Sequence, residues 1–197
     1  MSGEVAAAIL AGGRATRLGG IVKPLATVAG ARIIDRQLAA LAPLVSEVLI
    51  ITNDFASFAG LPARLVADLR PGLGPLAGLE AALAATSADA LLLVGGDMPA
   101  LSAAALALVR DFAPDADAAV PFIAGRPEPL HARYARRILD RVRSRLDGSR
   151  LALTALLDDL AVARIDEPAL RAADPSLLTL ANVNTPDDLE WLERLLR

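Results

Sequence analysis

Five short apolar runs, at residues 5–10, 48–52, 64–67, 90–94 and 118–122, alternate along this chain with stretches in which alanine and leucine return at helical spacing. Such alternation builds an α/β sheet, because the helices that join parallel strands also cover the sheet's faces. Residues 33–41 place Ile33, Ile34, Leu38 and Leu41 on one helical face, and Pro43 ends the helix. Residues 76–85 read likewise. Ser102 predicts a cap for a helix over 103–111, since its side-chain oxygen can accept from an unpaired first-turn N–H. Thr185, Pro186 and the carboxylates of Asp187 and Asp188 open a last helix, with Leu189, Leu192, Leu195 and Leu196 as its buried stripe. A chain of 197 residues supports one well-buried domain, spanning 1–197.

The first apolar run leads into Leu10-Ala11-Gly12-Gly13-Arg14-Ala15-Thr16-Arg17-Leu18-Gly19-Gly20-Ile21-Val22-Lys23, which holds four glycines and three cations. Glycine lets a loop approach a ligand closely, and successive backbone N–H groups can point at phosphate oxygens while Arg14, Arg17 and Lys23 add full charge. The loop therefore reads as a cradle for a nucleoside triphosphate. Two other phosphate loops are excluded by spacing. Pro24 follows Lys23 where a P-loop has Ser or Thr, and Gly12-Gly13-Arg14 does not supply the dinucleotide G-x-G-x-x-G.

Asp97 follows an apolar run and two glycines and precedes Pro99, a composition that projects one carboxylate from a strand end. Mg²⁺ takes hard oxygen ligands, commonly one or two carboxylates with substrate phosphates, so Asp97 is the leading metal ligand. In an open α/β sheet ligands lie beyond the carboxyl ends of the strands, which sets Gly12 and Asp97 on one rim. A second glycine cluster runs from Gly72 to Gly78. In it Pro75 suits a first helical turn, and Gly78 permits close approach of a base, a ribose or a neighbouring element.

The C-terminal third is less regular. Residues 118–134 read as two extended segments around 123–127, forming a flap over the site. Arg136, Arg137, Arg141, Arg143 and Arg145 crowd a helix and spread around it, which predicts a solvated surface. His131, the single histidine, reads as a packing or rim residue.

Composition narrows the partners. Hydrophobic residues make up 54% of the chain and the net charge is −3, which excludes disorder and gives no drive toward nucleic acid. With no cysteine, disulfides and thiolate metal sites are impossible. No secretory signal and no run of about 18 apolar residues is visible, so a cytoplasmic protein without a membrane span is expected.

The stretch from Leu10 to Lys23 resembles the L-A-G-G-x-x-x-R-hydrophobic-G-x-x-K signature of nucleotidyltransferases that attach a nucleoside monophosphate to a phosphorylated acceptor. With Asp68, Gly74 to Gly78, Gly96-Asp97-Met98-Pro99 and Asn182-Val183-Asn184-Thr185-Pro186-Asp187-Asp188-Leu189, the set is similar to the molybdenum cofactor guanylyltransferases. That resemblance implies a Rossmann-like three-layer sandwich of the nucleotide-diphospho-sugar transferase type, its sheet mostly parallel with helices on both faces. It implies GTP as donor, Mg²⁺, molybdopterin or the molybdenum cofactor as acceptor, and cofactor-delivery proteins as partners. Arg17, Lys23 and Asp97 would be catalytic, with Asp97 on the metal. Leu10, Ala11, Gly12, Gly13, Lys23, Asn53, Asp68, Gly74, Gly78 and Asp97 would hold the nucleotide, and Asn182 and Asn184 the acceptor.

The chain departs from the family at Val22, where many relatives carry Asp, and that leaves Lys23 without a local counter-ion. Two other functions share these motifs: a CTP-dependent or other nucleotidyltransferase on a phosphorylated small molecule, and a nucleotide-binding partner without catalysis.

Overall fold

The structure is a computed structural model that describes residues 3–12, 17–18 and 21–196. Gly13, and the side chain of Arg17, lie outside what it describes. Along the chain, β1 (Val5–Leu10) is followed by two short hairpins, β2 (Arg17–Leu18) with β3 (Ile21–Val22) and β4 (Thr27–Val28) with β5 (Ala31–Arg32), and then by α1 (Ile33–Leu41). Next come β6 (Val48–Ile51), β7 (Arg64–Val66), α2 (Pro75–Ala85), β8 (Ala90–Gly95) and α3 (Ala103–Asp111). The remainder comprises β9 (Ala118–Ile123), β10 (Arg126–Pro127), β11 (His131–Ala135), α4 (Leu139–Asp147), α5 (Leu153–Leu156), β12 (Val162–Ile165), α6 (Glu167–Ala173) and α7 (Pro186–Leu196).

Eight of these strands form one sheet in the order β7-β6-β1-β8-β11-β9, with β10 and β12 both paired to β9. β1, β6, β7 and β8 run parallel; β11 is antiparallel to both β8 and β9. Alternation of side chains along the central strands divides the core. Ala6, Ala8, Leu49, Ile51, Leu91 and Leu93 pack with α2, α4 and α5, while Ala7, Ile9, Val48, Ile50, Leu92 and Val94 pack with α1, α3 and the α6 side. These are the helix layers on both faces that the sequence implied. A strand buried on both faces needs an unbroken apolar run, which accounts for VAAAIL and ALLLVG.

Helix boundaries follow their caps. α1 spans the predicted 33–41. Ser102 Oγ accepts from Ala105 N at 3.3 Å at the head of α3, and Thr185 Oγ1 from Asp188 N at 3.2 Å at the head of α7. A smaller core of Ala26, Val28, Ile33, Val183 and Leu192 docks α7 beside β4. Leu195, predicted within the buried stripe of α7, is instead 49% exposed, because this small core reaches only one narrow side of the helix.

Two further expectations are corrected. Residues 118–134 are no flap: β11 is buried throughout, inserted between β8 and β9 in the main sheet. Nor is the arginine-rich helix simply solvated. Arg137 and Arg141 pair with Asp117 at 2.9 and 2.6 Å, Arg143 lies 3.5 Å from the buried Glu80, and Arg145 is itself buried against Asp159. Their carboxylates come from other elements, so helical spacing alone could not reveal them.

Candidate functional site

The carboxyl ends of β1, β6, β7 and β8 lie side by side and deliver Leu10–Gly12, Asn53, Asp68 and Asp97 to one rim. Ala11 is buried and its N–H donates to the Ile51 carbonyl at 3.0 Å, which carries the pairing of β1 and β6 past the strand end; Gly12, next to it, is exposed. Asn53 Oδ1 accepts from Asp68 N at 3.0 Å, and Asp68 Oδ1 accepts from Arg70 N at 2.9 Å. Two of the predicted polar contacts thus meet directly. Arg70 is anchored by Asp147 at 2.6 Å and by the buried Glu80 at 3.0 Å, so charges on α4 and α2 tie down the loop that holds Asp68.

Gly74 heads α2 with φ +81°, a left-handed conformation that glycine adopts without penalty. Gly78 serves a neighbouring element: a Cβ there would lie 2.7 Å from Leu10 Cδ2, so its absence makes room for the last side chain of β1.

Lys23 and Asp97 face one another across the first loop and the turn after β8. Lys23 starts a short 3-10 turn, Lys23–Leu25, and is buried, with its Nζ donating to Asn184 Oδ1 at 2.8 Å. Pro24, which departs from the P-loop pattern, packs over the Asp97 turn: a Cβ on Gly96 would lie 2.9 Å from Pro24 Cγ and 2.6 Å from the Leu10 carbonyl oxygen. Val22, the other departure, is half-buried against the α1 and α3 side of the core. Burial pushes the Asp97 carboxyl above the usual carboxylate range, opposed by its own backbone N–H and by the nearby Lys23 charge.

The C-terminal segment joins the site twice. Val183 N donates to the Asp97 carbonyl at 2.8 Å, and Asn184 holds Lys23. Asp188 in turn accepts from Asn184 N and Thr185 N, both at 2.8 Å, and these bonds hold its carboxyl below the ordinary range. Asn182 is exposed beside this strap.

One site residue escapes a reading by motif. Gln37 of α1 is fully buried, and its Nε2 donates to the Gly95 carbonyl at 2.7 Å and the Met98 carbonyl at 3.0 Å, on either side of Asp97. The signal was present in the sequence: Gln37 falls on the stripe of Ile33, Ile34, Leu38 and Leu41, where an apolar residue is due.

The residues fit a divalent cation completed by substrate. Asp97 offers one half-buried carboxylate. No group of three or more His, Cys, Asp or Glu that could hold a metal unaided occurs among the described residues, and Mg²⁺ commonly shares one or two carboxylates with phosphate oxygens. Among the same residues, no helix is long and apolar enough to cross a membrane.

Comparison with known proteins agrees with this geometry. A probable molybdenum cofactor guanylyltransferase of Chloroflexus aggregans is 34% identical over 193 residues, covering 95% of this chain and 93% of its own length. A molybdenum cofactor guanylyltransferase of Desulfosudis oleivorans is 31% identical, covering 96% and 94%. Among solved structures, molybdopterin-guanine dinucleotide biosynthesis protein A of Archaeoglobus fulgidus superposes with a TM-score of 0.83 at 26% identity, covering 97% of this chain and 98% of its own. A 2-C-methyl-D-erythritol 4-phosphate cytidylyltransferase of Thermus thermophilus shares the fold with a TM-score of 0.71 at 21% identity, over 96% of this chain and 98% of its own. Residues 7–174 match the MobA-like NTP transferase domain, and with these relatives alike over nearly their whole length the chain belongs to that family.

Proposed function

We propose that this protein transfers GMP from GTP to the terminal phosphate of molybdopterin or the molybdenum cofactor, releasing pyrophosphate and forming a guanine dinucleotide cofactor. The observation that carries the reading is the meeting of Lys23, Asp97 and Asn184 at the rim where β1 and β8 end. The names of the relatives, molybdenum cofactor guanylyltransferases, support a guanylyl donor and a molybdenum cofactor acceptor.

In the reaction an oxygen of the acceptor phosphate forms a bond to the α-phosphorus of GTP, while the bond from that phosphorus to the bridging oxygen breaks and pyrophosphate leaves with its electrons. A phosphate monoester is already anionic near neutral pH, so no general base is required. The protein's task is to align two polyanions and offset their repulsion.

Leu10, Ala11 and Gly12 hold the base and ribose through backbone groups. Asn53 and Asp68 supply polar contacts, Gly74 leaves the head of α2 open to the nucleotide, and Gly78 makes room for Leu10 beneath it. Lys23 and Arg17 place positive charge on the α-phosphate and the departing pyrophosphate. Asn182 and Asn184 face the acceptor, so Lys23 exchanges its bond to Asn184 for phosphate oxygens when both substrates are present. Mg²⁺ held by Asp97 supplies electrostatic stabilisation of the phosphate oxygens when bound.

The test is pyrophosphate release from GTP, CTP, ATP and UTP with Mg²⁺, with and without molybdopterin. Acceptor-dependent release from GTP is expected. Release from CTP alone would make the protein a cytidylyltransferase, and nucleotide binding without release would point to a different acceptor or to a non-catalytic partner.

A further inference from the structure

Among the described residues, four hydrogen-bonding partners hold the turn that carries Asp97. Gly95 N donates to the Leu130 carbonyl at 3.1 Å, Gly96 N to the Leu10 carbonyl at 3.0 Å, and the Asp97 carbonyl accepts from Val183 N at 2.8 Å. The fourth hydrogen-bonding hold is made by a side chain. Gln37 reaches from α1 through the core, and its one amide nitrogen bridges the Gly95 and Met98 carbonyls.

This arrangement is unfavourable for stability taken alone. The Gln37 side chain is fully buried, yet its Oε1 finds no hydrogen-bond partner among the described residues. A half-satisfied buried amide is a poorer core filler than the leucine or methionine that the stripe of α1 would accommodate. What the amide supplies is geometric. Two carbonyls three residues apart, bonded to one nitrogen, fix the chord of the turn and with it the direction in which Asp97 leaves the backbone.

We infer that Gln37 is a positioning residue: by clamping the Gly95 and Met98 carbonyls it aims the Asp97 carboxylate at the metal shared with the nucleotide phosphates. The inference rests on Asp97 as metal ligand in the function proposed above. Residues that orient a ligand contribute to metal affinity without touching the metal.

The experiment measures calorimetrically how much Mg²⁺ strengthens binding of the non-hydrolysable analogue GMPCPP, as the ratio of Kd in EDTA to Kd in Mg²⁺. Gln37→Met conserves volume and removes both hydrogen bonds. It should lower that ratio by about 10-fold to 100-fold while leaving Kd in EDTA near the wild-type value. Gln37→Glu, buried and held protonated, keeps one donor and should fall between the two; it also serves as the decisive variant if Gln37→Met does not fold. Leu41→Ala, another buried position on α1, is the control for destabilisation without loss of a hydrogen bond to the turn and should leave the ratio unchanged.

Asp97→Asn separates the two ideas. If it leaves the ratio unchanged, the metal assignment of Asp97 fails. If it collapses the ratio while Gln37→Met and Gln37→Glu do not, Gln37 is only a core residue and this inference is overturned. A fall in the ratio for Leu41→Ala equal to that for Gln37→Met overturns it as well.

Discussion

Lys23 is a buried cation whose hydrogen bond goes to a neutral amide, while the Asp97 and Asp188 carboxylates act on it through space, so among the described residues no direct ion pair competes with phosphate for its Nζ. Removing it should therefore act mainly on phosphate. Lys23→Ala is expected to lower kcat/KM for GTP by about 100-fold, with an unfolding midpoint near that of the wild type, since the exposed Asn184 amide is left to water. Steady-state kinetics beside a thermal melt would check both halves. His131 shows the opposite design. Its Nε2 lies 2.7 Å from Thr179 Oγ1, which also accepts from Ser102 N at 3.1 Å, so the imidazole is held deep in the core away from water. Burial pulls its pKa down from 6.5 to about 4. As pH falls, the unfolded chain takes up this proton first, so the contribution is complete above about 6.5 and is lost progressively between there and about 4. Melts from pH 7.5 to 4.5 should show a steeper fall in midpoint for the wild type than for His131→Gln. Lys23 and Asp97 were legible because glycines and an apolar run announce them. Gln37 was not, because a motif search passes over a polar residue on an apolar stripe.

Among the elements, the central strands could be read directly. β1, β6 and β8 are buried on both faces and must be continuously apolar. The flap expected over 118–134 fails at β11, whose His131 and Arg133 are residue types usual at a surface yet lie buried here. Arg133 donates to the Phe112 and Ala113 carbonyls at 3.2 and 2.7 Å at the end of α3, and His131 pairs through Nε2 with Thr179. Partners 20 and 48 positions away leave no local trace in sequence. β12 and α6 went unread for a related reason: β12 is a half-exposed strand paired only with β9, so its apolar signal is weak. A close backbone approach lies where the turn after β8 crosses β1. Gly96→Ala would set a Cβ 2.6 Å from the Leu10 carbonyl oxygen, and backbone cannot yield as a flexible side chain can. That substitution is expected to cost about 1–3 kcal/mol in urea denaturation and to impair turnover even where folding persists, because both β1 and the Asp97 turn must shift.

At the scale of the whole molecule, the sheet and its two helix layers form most of the core, while α7 rests on a smaller one beside the first loop. Leu192 is fully buried there with Val28 and Ile33. Leu192→Ala should lower stability by roughly 2–5 kcal/mol and raise KM for both substrates, since the helix it docks holds the strap of Val183 and Asn184. Denaturant titration and kinetics on one preparation would test the coupling. The strap also sets a schedule for synthesis. Lys23 emerges from the ribosome early, and the residue that holds it follows 161 positions later. At about 5–20 residues per second, that interval lasts roughly ten to thirty seconds. A nascent chain can assemble β1, β6 and β8 within it, yet the phosphate end of the site stays unbuilt until translation has passed residue 184.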